Sequence, residues 1–202
     1  MSKRTSQTTG LPKNFLIVVV IALIVIGGAL YYTLSGTVAG QEKIIKIGLI
    51  APLTGPLSYG GNDMKQGALL AVEEINSQGG IKVGDTYYKI ELIIEDDEGN
   101  PSKATQVVQK LITQDNVFAI VGSYSSSVTL AVQPIIMENK RLLVVPVAVA
   151  TQITYAGYKY TFRVCANQWM QTTQNAEWVY NNLKPETFAL LLENSDYGRE
   201  GG

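Results

Sequence analysis

Histidine is absent from the 202 residues, and cysteine occurs once, at Cys165. The first absence removes Ser-His-Asp and Cys-His nucleophilic catalysis, histidine general bases and histidine-ligated zinc together. The second removes disulfide frameworks and CxxC metal or redox pairs, and a lone cysteine is most often a small buried hydrophobe. Charge is scarce too, at 16% of residues, with 16 basic against 17 acidic side chains and a net of −1. That scarcity is concentrated. Residues 15–34 carry no charge, and Lys3, Arg4 and Lys13 all precede them, so residues 41–202 hold 13 basic and 17 acidic groups, a net of −4. A mildly acidic remainder without clustered Lys and Arg argues against nucleic acid as a partner.

Phe15 to Leu34 reads FLIVVVIALIVIGGALYYTL, about 30 Å long as a helix and enough to cross a bilayer. Tyr31 and Tyr32 stand at its far end, where amphipathic rings favour the headgroup region. The first charges after it are Glu42 and Lys43. The positive-inside bias then predicts a cytoplasmic tail at 1–14, a transmembrane signal-anchor at 15–34, a linker at 35–43 and an extracytoplasmic remainder, 35–202 in all. The alternative is a cleaved secretory signal. It has the same charge order but a shorter apolar region of about 7–15 residues, and Thr37-Val38-Ala39 offers a weak cleavage site.

Beyond the linker, apolar runs alternate with helical spacing. Strands are expected at Ile44–Ile50, Tyr88–Glu95, Val117–Gly122, Leu142–Val145, Thr161–Val164 and Phe188–Leu192. Met64, Ala68, Ala71, Val72 and Ile75 predict a helix capped by Asn62 or Asp63 and stopped at Gly79-Gly80. Asn100-Pro101 gives an N-cap and a proline at the first helical position, and Ala104, Val107, Val108, Leu111 and Ile112 share one face of the helix that follows. Val128, Ala131, Val132, Ile135 and Ile136 mark another, and Gln168–Leu183 a further one. This alternation predicts an α/β fold, a mostly parallel, doubly wound sheet with helices on both faces.

Open sheets of this kind bind ligands beyond the carboxyl ends of their strands, which directs attention to Ala51–Asp63, Asp96–Pro101, Gly122–Ser127 and Pro146–Thr151. Gly122-Ser123-Tyr124-Ser125-Ser126-Ser127 leaves a strand and opens a helix, where free N–H groups and the helix dipole favour a carboxylate or phosphate. One serine would suffice as a cap; three in a row exceed that need. Thr54–Gly61 is glycine-rich at a strand-to-helix turn but matches neither GxGxxG nor GxxxxGK[ST], so nucleotide binding has no motif behind it. Its glycines suit a tight turn, with Tyr59 able to wall a pocket. Glu95-Asp96-Asp97-Glu98 lacks calcium-loop spacing and reads as a solvated loop before a helix rather than a metal or acid–base pair. Pro146–Thr151 is apolar apart from Thr151 and offers mainly backbone groups, while Asp196-Tyr197-Gly198 is a weak signal alone.

In order along the chain stand IGLIAPLTGPLSYGG, GALLAVEEINSQGGI, EDDEGNPSKA, IVGSYSSS, LLVVPVAVAT, YKYTFRV and NSDYG. Together they resemble the amino-terminal half of the branched-chain amino acid (Leu/Ile/Val) binding proteins, the extracytoplasmic substrate-binding subunits of ABC importers, with the type I periplasmic binding fold. The resemblance covers residues 44–200. It implies a first ligand-binding lobe at 44–163, the start of a second lobe at 164–202, and capture of a small amino-acid-like solute by lobe closure for delivery to a permease, with no chemistry, cofactor or metal. By position, Ser126 resembles the serine that binds the ligand α-carboxylate. Tyr124 and Ser125 would line the pocket, and Val147 would lend a backbone carbonyl. Tyr59 stands beside the usual aromatic position, which Gly60 occupies. Two departures stand out: Val149 replaces a Ser or Thr hydroxyl, and Gln168 replaces a common Asp.

Family members are about twice as long, so the resemblance also implies a fragment or split protein with a truncated second lobe. Residues 168–192 would then have little to pack against, and binding by the chain alone would be weak. Two further readings share the pattern. The first is the ligand-reading ectodomain of a membrane sensory receptor. The second is an exported α/β enzyme, for which histidine, a nucleophile elbow and a cofactor motif are all missing.

Overall fold

The computed structural model describes residues 13–35 and 43–201. They fall into two compact units divided after Glu42. The first holds helix α1, Lys13–Ser35, whose described side chains are Phe15 and residues 20–31. The large apolar groups among them, from Val20 to Tyr31, are exposed. Among the described residues no helix is long and apolar enough to cross a membrane. Of the expected tail and linker, residues 1–12 and 36–42 lie outside the described residues.

The second unit is a six-stranded sheet in the order β2-β3-β1-β4-β5-β6. β1 (Lys43–Ala51) lies between β3 (Thr86–Asp96) and β4 (Ala119–Val121), with Ile47 paired to Leu92 on one side and Ala119 on the other. β5 (Leu142–Val145) and β6 (Thr161–Arg163) continue the parallel array. β2 (Ile81–Val83) adds an antiparallel edge by a hairpin onto β3.

Crossover handedness sorts the helices. The chain moves one way from β1 to β3 through α2 (Ser58–Ser77), then the other way to β4 through α3 (Pro101–Thr113) and on to β5 through α4 (Ser126–Glu138). Right-handed crossovers in opposite directions put α2 on one face and α3 with α4 on the other. The α3–α4 face holds the core: Ile50, Val108, Leu111, Ile120, Val128, Val132, Ile136 and Leu143 are all fully buried in one cluster. Gly48 lets α3 lie close, since a Cβ there would meet Leu111 Cδ1 at 2.9 Å. Residues of α2 are absent from that cluster. This helix buries Gly61 and leaves Met64, Ala68, Val72 and Ile75 half-buried.

Three local expectations need correction. Helix α2 begins at Ser58 with Leu57 at the cap position, not at Asn62 or Asp63. Gly55, at φ 78°, turns the chain so that Ser58 N–H reaches Gly55 O at 3.1 Å, and the Asn62 amide donates back to Ser58 O at 2.7 Å. Gly60 and Gly61 therefore sit inside the first turns. A Cβ at Gly61 would lie 2.0 Å from Pro52 O, and one at Gly60 would lie 2.2 Å from the Tyr124 ring. Secondly, Phe188–Leu192 forms no strand and is exposed, with Leu191 at 100%; strand propensity yields a strand only where a ladder partner exists. Thirdly, the Glu95–Glu98 tetrad is not simply solvated, because Asp97 is completely buried.

Two short helices complete the unit, α5 (Gln152–Tyr155) and α7 (Asp196–Gly201), with α6 (Gln168–Asn182) between them. α7 packs against α4 and α6. Among the described residues of α6 only Gln168 is buried, while Trp169, Trp178 and Tyr180 are exposed.

Candidate functional site

The reversal of winding direction falls between β1 and β4. The loops leaving them diverge to opposite faces there and open a crevice at the carboxyl edge, the position where open α/β sheets take ligands. A cavity of about 360 Å³ occupies it. Leu57 enters from the β1–α2 turn; Tyr124, Ser125 and Ser126 from the start of α4; Val147, Ala148 and Val149 from the loop after β5; and Gln171, Glu193, Ser195 and Tyr197 from the carboxyl-terminal segment.

The α4 wall is built to hold negative charge. The first intrahelical bond is Thr129 N–H to Ser125 O at 3.0 Å, so the amides of residues 126–128 precede the ladder, at the positive end of the helix dipole. Ser125 sits at the N-cap position without a side-chain cap bond. The buried Ser126 Oγ accepts the Ala150 N–H at 3.2 Å, which leaves its own proton to donate. Tyr124 reaches the cavity because Gly60 leaves room for its ring.

The Val147–Thr151 wall is pinned from behind. The Arg163 guanidinium donates to Val149 O at 3.0 Å, Ala150 O at 2.7 Å and Thr154 Oγ1 at 2.8 Å. Gln168 N–H adds a bond to Val149 O at 2.8 Å, and Glu200 accepts the Thr151 N–H. Burial lowers the Arg163 pKa against the opposing charges around it. The Cys165 thiol, pushed up by burial, points at Val147 O (3.6 Å) and Ala148 O (3.7 Å).

Two carboxylates brace the loops from beneath. Asp96 accepts from Leu53 N–H at 2.8 Å, Thr54 Oγ1 at 2.6 Å and Glu98 N–H at 2.8 Å. Burial would raise its pKa, but these bonds together bring it below the usual value. Asp97 accepts from Gly99 N–H at 2.8 Å and Ser123 Oγ at 3.0 Å, so it ties the β3 loop to the Ser123–Ser126 turn. Burial raises its pKa and outweighs those bonds, and the neighbouring Asp96 charge adds to the rise. Among the described residues no His/Cys/Asp/Glu group is arranged to hold a metal ion.

The structure thus gathers Tyr124, Ser125, Ser126, Val147 and Val149 around one cavity. Tyr59 is 83% exposed and stands outside the lining; Leu57, two residues earlier, takes the place on that wall. Sequence reasoning did not find Gln171 or Glu193, touched Ala148 only within the Pro146–Thr151 loop, and noted Ser195 and Tyr197 only within NSDYG. Arg163, the brace behind the Val147–Thr151 wall, carried no motif beyond being a lone charge at the end of an apolar strand.

Fold and crevice together are those of one α/β lobe with a cleft at the carboxyl edge of its parallel sheet. The chain belongs to the periplasmic binding protein family, which it matches over residues 44–202. A Leu/Ile/Val-binding protein of Rhizobium johnstonii is 36% identical over 155 residues, covering 77% of this chain and 41% of the relative. A leucine-, isoleucine-, valine-, threonine- and alanine-binding protein of Pseudomonas aeruginosa is 34% identical over 154 residues, covering 76% and 40%. Among solved structures, the isoleucine complex of a branched-chain amino acid transporter substrate-binding protein from Streptococcus pneumoniae superposes with a TM-score of 0.65 at 31% identity, covering 70% and 39%. An ABC-transporter solute-binding protein of Rhodopseudomonas palustris with bound 3,4-dihydroxybenzoic acid gives 0.70 at 26% identity, covering 79% and 42%. The chain spans about two fifths of the length of these relatives.

Proposed function

We propose that residues 44–163 form the first ligand-binding lobe, and 164–202 the start of the second, of an extracytoplasmic solute-binding component of an ABC importer. The ligand is a small amino acid or amide-like solute, held by hydrogen bonds and lobe closure and delivered to permease subunits without chemical change. The observation that carries this reading is the α4 wall. Unladdered amides, the Ser126 hydroxyl and the Ser125 side chain converge on a cavity whose other near walls, Leu57 and Val147–Val149, are apolar. A carboxylate fits the first wall and an aliphatic or aromatic body fits the others. The ligands bound in two of the similar solved structures, isoleucine in one and a dihydroxybenzoate in the other, both have that form.

The same reading places residues 1–14 in the cytoplasm, 15–34 across the membrane and 35–202 outside. It rests on the uncharged length of 15–34 and the basic residues preceding it. An anchor keeps the binding lobe near its permease and raises the effective concentration. Carbonate-resistant membrane association of the whole chain checks it; release into the soluble fraction would remove the anchor from the proposal.

Binding is tested on the 202-residue chain in detergent with amino acids, amides and aromatic carboxylates. Calorimetry reads the affinities, and ¹H–¹⁵N spectra at millimolar ligand detect weak occupancy. Saturable binding of a carboxylate is expected, and Ser126→Ala should weaken it roughly tenfold or more. No saturable shift with any carboxylate, or an unchanged affinity in Ser126→Ala, would sink the reading.

A further inference from the structure

The serine turn that opens α4 is held from a strand that does not border it. β3 lies on the far side of β1 from β4, yet Asp97, one residue past β3, reaches over the end of β1 to the turn that leaves β4. Its N–H donates to Ala51 O at 3.1 Å, and its carboxyl accepts the Ser123 hydroxyl at 3.0 Å. Gly122 keeps the reach short, pressing on β1 so closely that a Cβ there would lie 2.3 Å from Ile50 O. Ser123 passes the contact on, because its Oγ accepts the Ser125 N–H at 3.3 Å. Asp97 and Ser123 are both completely buried.

We propose that Asp97 is a positioning residue for the ligand-binding wall, acting through Ser123. It fixes which amides of residues 123–128 face the cavity, and its charge state sets how well they hold a carboxylate. The inference rests on the binding reading above and adds a control to it.

Geometry carries the first half. With its proton committed to Asp97 and a lone pair to Ser125, the Ser123 hydroxyl holds the Ser125 N–H inward. The amides of residues 126–128, and the Ser126 hydroxyl set by the Ala150 N–H at 3.2 Å, are left for a ligand. Without the Asp97 acceptor, the buried Ser123 hydroxyl would turn to another partner and release the Ser125 amide with it.

Charge carries the second half. An ionised Asp97 stands two hydrogen bonds behind the wall, in a buried setting that salt screens little, and repels a carboxylate arriving in front. The protonated form does not, and burial already favours that form. The surroundings leave this balance to few groups. Asp96 is the charged neighbour that acts on Asp97. Toward α3, Glu98 and Lys103 are exposed and pair with each other at 3.7 Å. Asp63 on α2 is exposed, Ala51 and Pro52 at the end of β1 bring no charge, and the Tyr124 ring lies over Gly60. Anion binding and Asp97 protonation therefore favour each other, and affinity falls as pH rises through the folded value of Asp97.

The test titrates the full chain in detergent with isoleucine between about pH 4 and pH 8, and follows the Ser125 amide of the ligand-free chain in ¹H–¹⁵N spectra. The unaltered chain should bind about three- to tenfold more weakly at the upper end, and the Ser125 amide should titrate over the same interval. Asp97→Asn keeps the shape without the charge and should bind with no such fall; it also serves as the reference for any titration of isoleucine itself. Ser123→Ala should weaken binding about three- to tenfold at the lower end and abolish the amide titration, and adding Asp97→Asn to it should cost nothing more. The proposal is overturned if Asp97→Asn keeps the full pH response or if Ser123→Ala binds as the unaltered chain does. Failure to bind isoleucine or any other carboxylate would overturn it together with the site reading. A Ser125 amide that still titrates in that case would place the failure in the site reading and not in the Asp97–Ser123 link.

Discussion

Helices α3 and α6 begin alike and end in opposite circumstances. Each has an asparagine at its N-cap: Asn100 accepts from Ser102 and Lys103 N–H at 2.8 and 3.1 Å, and Asn167 accepts from Met170 N–H at 2.8 Å. α3 then buries Ala104, Val107, Val108, Leu111 and Ile112 against the sheet and α4. α6 also carries apolar residues at helical spacing, Trp169, Ala176 and Tyr180, yet these face outward with Trp169 61% exposed and Tyr180 75% exposed. The difference is therefore not one of capping. A helix face becomes core only when another element lies across it, and most helical stability comes from that packing.

The largest test of the contrast exchanges large for small on each helix. Leu111→Ala removes a fully buried side chain between α3 and β1 and should cost about 2–5 kcal/mol in denaturant unfolding. Trp178→Ala, on the exposed surface of α6, removes more atoms and should change the same measurement by less than about 0.5 kcal/mol. Equal losses would mean that α6 is covered in solution.

This contrast also separates what could be read along the chain from what could not. Asn100-Pro101 and the five apolar positions after it specify α3 completely, because cap and stripe are both local signals. The parallel sheet was legible in the same way, from apolar runs such as Ile44–Ile50, whose last residues, Gly48 to Ile50, are buried. α2's start was not, because Gly60 and Gly61 look like loop residues until Tyr124 and the Pro52 carbonyl, far apart in sequence, are seen pressed against them. Phe188–Leu192 has the composition of a strand and no ladder to join. At the site, the serine wall announced itself by residue type, whereas Gln171 and Glu193 lie outside any motif and join it where α7 packs against α4 and α6.

The approaches to the two helices differ as well. Ahead of α3, the buried Asp97 has both oxygens hydrogen-bonded; at the start of α6, the buried Gln168 leaves Oε1 without a partner. Asp97→Ala strands the Gly99 N–H and the Ser123 hydroxyl and should cost about 1–3 kcal/mol. Asp97→Asn carries a pH signature. The folded chain holds the Asp97 proton to a higher pH than the unfolded chain, whose value is near 3.8. Its contribution to stability is therefore fully present below that value and is lost as pH rises through the folded one. Melting curves should show Asp97→Asn gaining on the unaltered chain as pH rises from about 3.8 toward neutrality. A gain on acidification would reverse the assigned shift.

The smallest effect separates the helices most finely, because the substitution is the same in both. Asn100→Ala and Asn167→Ala each remove one N-cap, worth about 1 kcal/mol. On α3 the capped turn continues into the core, so its loss should appear in the global transition as a lowered melting temperature. On α6 the capped turn continues into solvent-facing residues, and a helix held mainly by its own hydrogen bonds opens locally before the whole unit does. Asn167→Ala should therefore leave the global melt nearly unchanged while hydrogen exchange quickens across residues 168–182. If exchange there stays slow, α6 is packed against something, and its exposed stripe is an interface. If instead Asn167→Ala lowers the global melt as far as Asn100→Ala does, the two helices belong to one cooperative unit, and the contrast between them is one of exposure without a difference in stability.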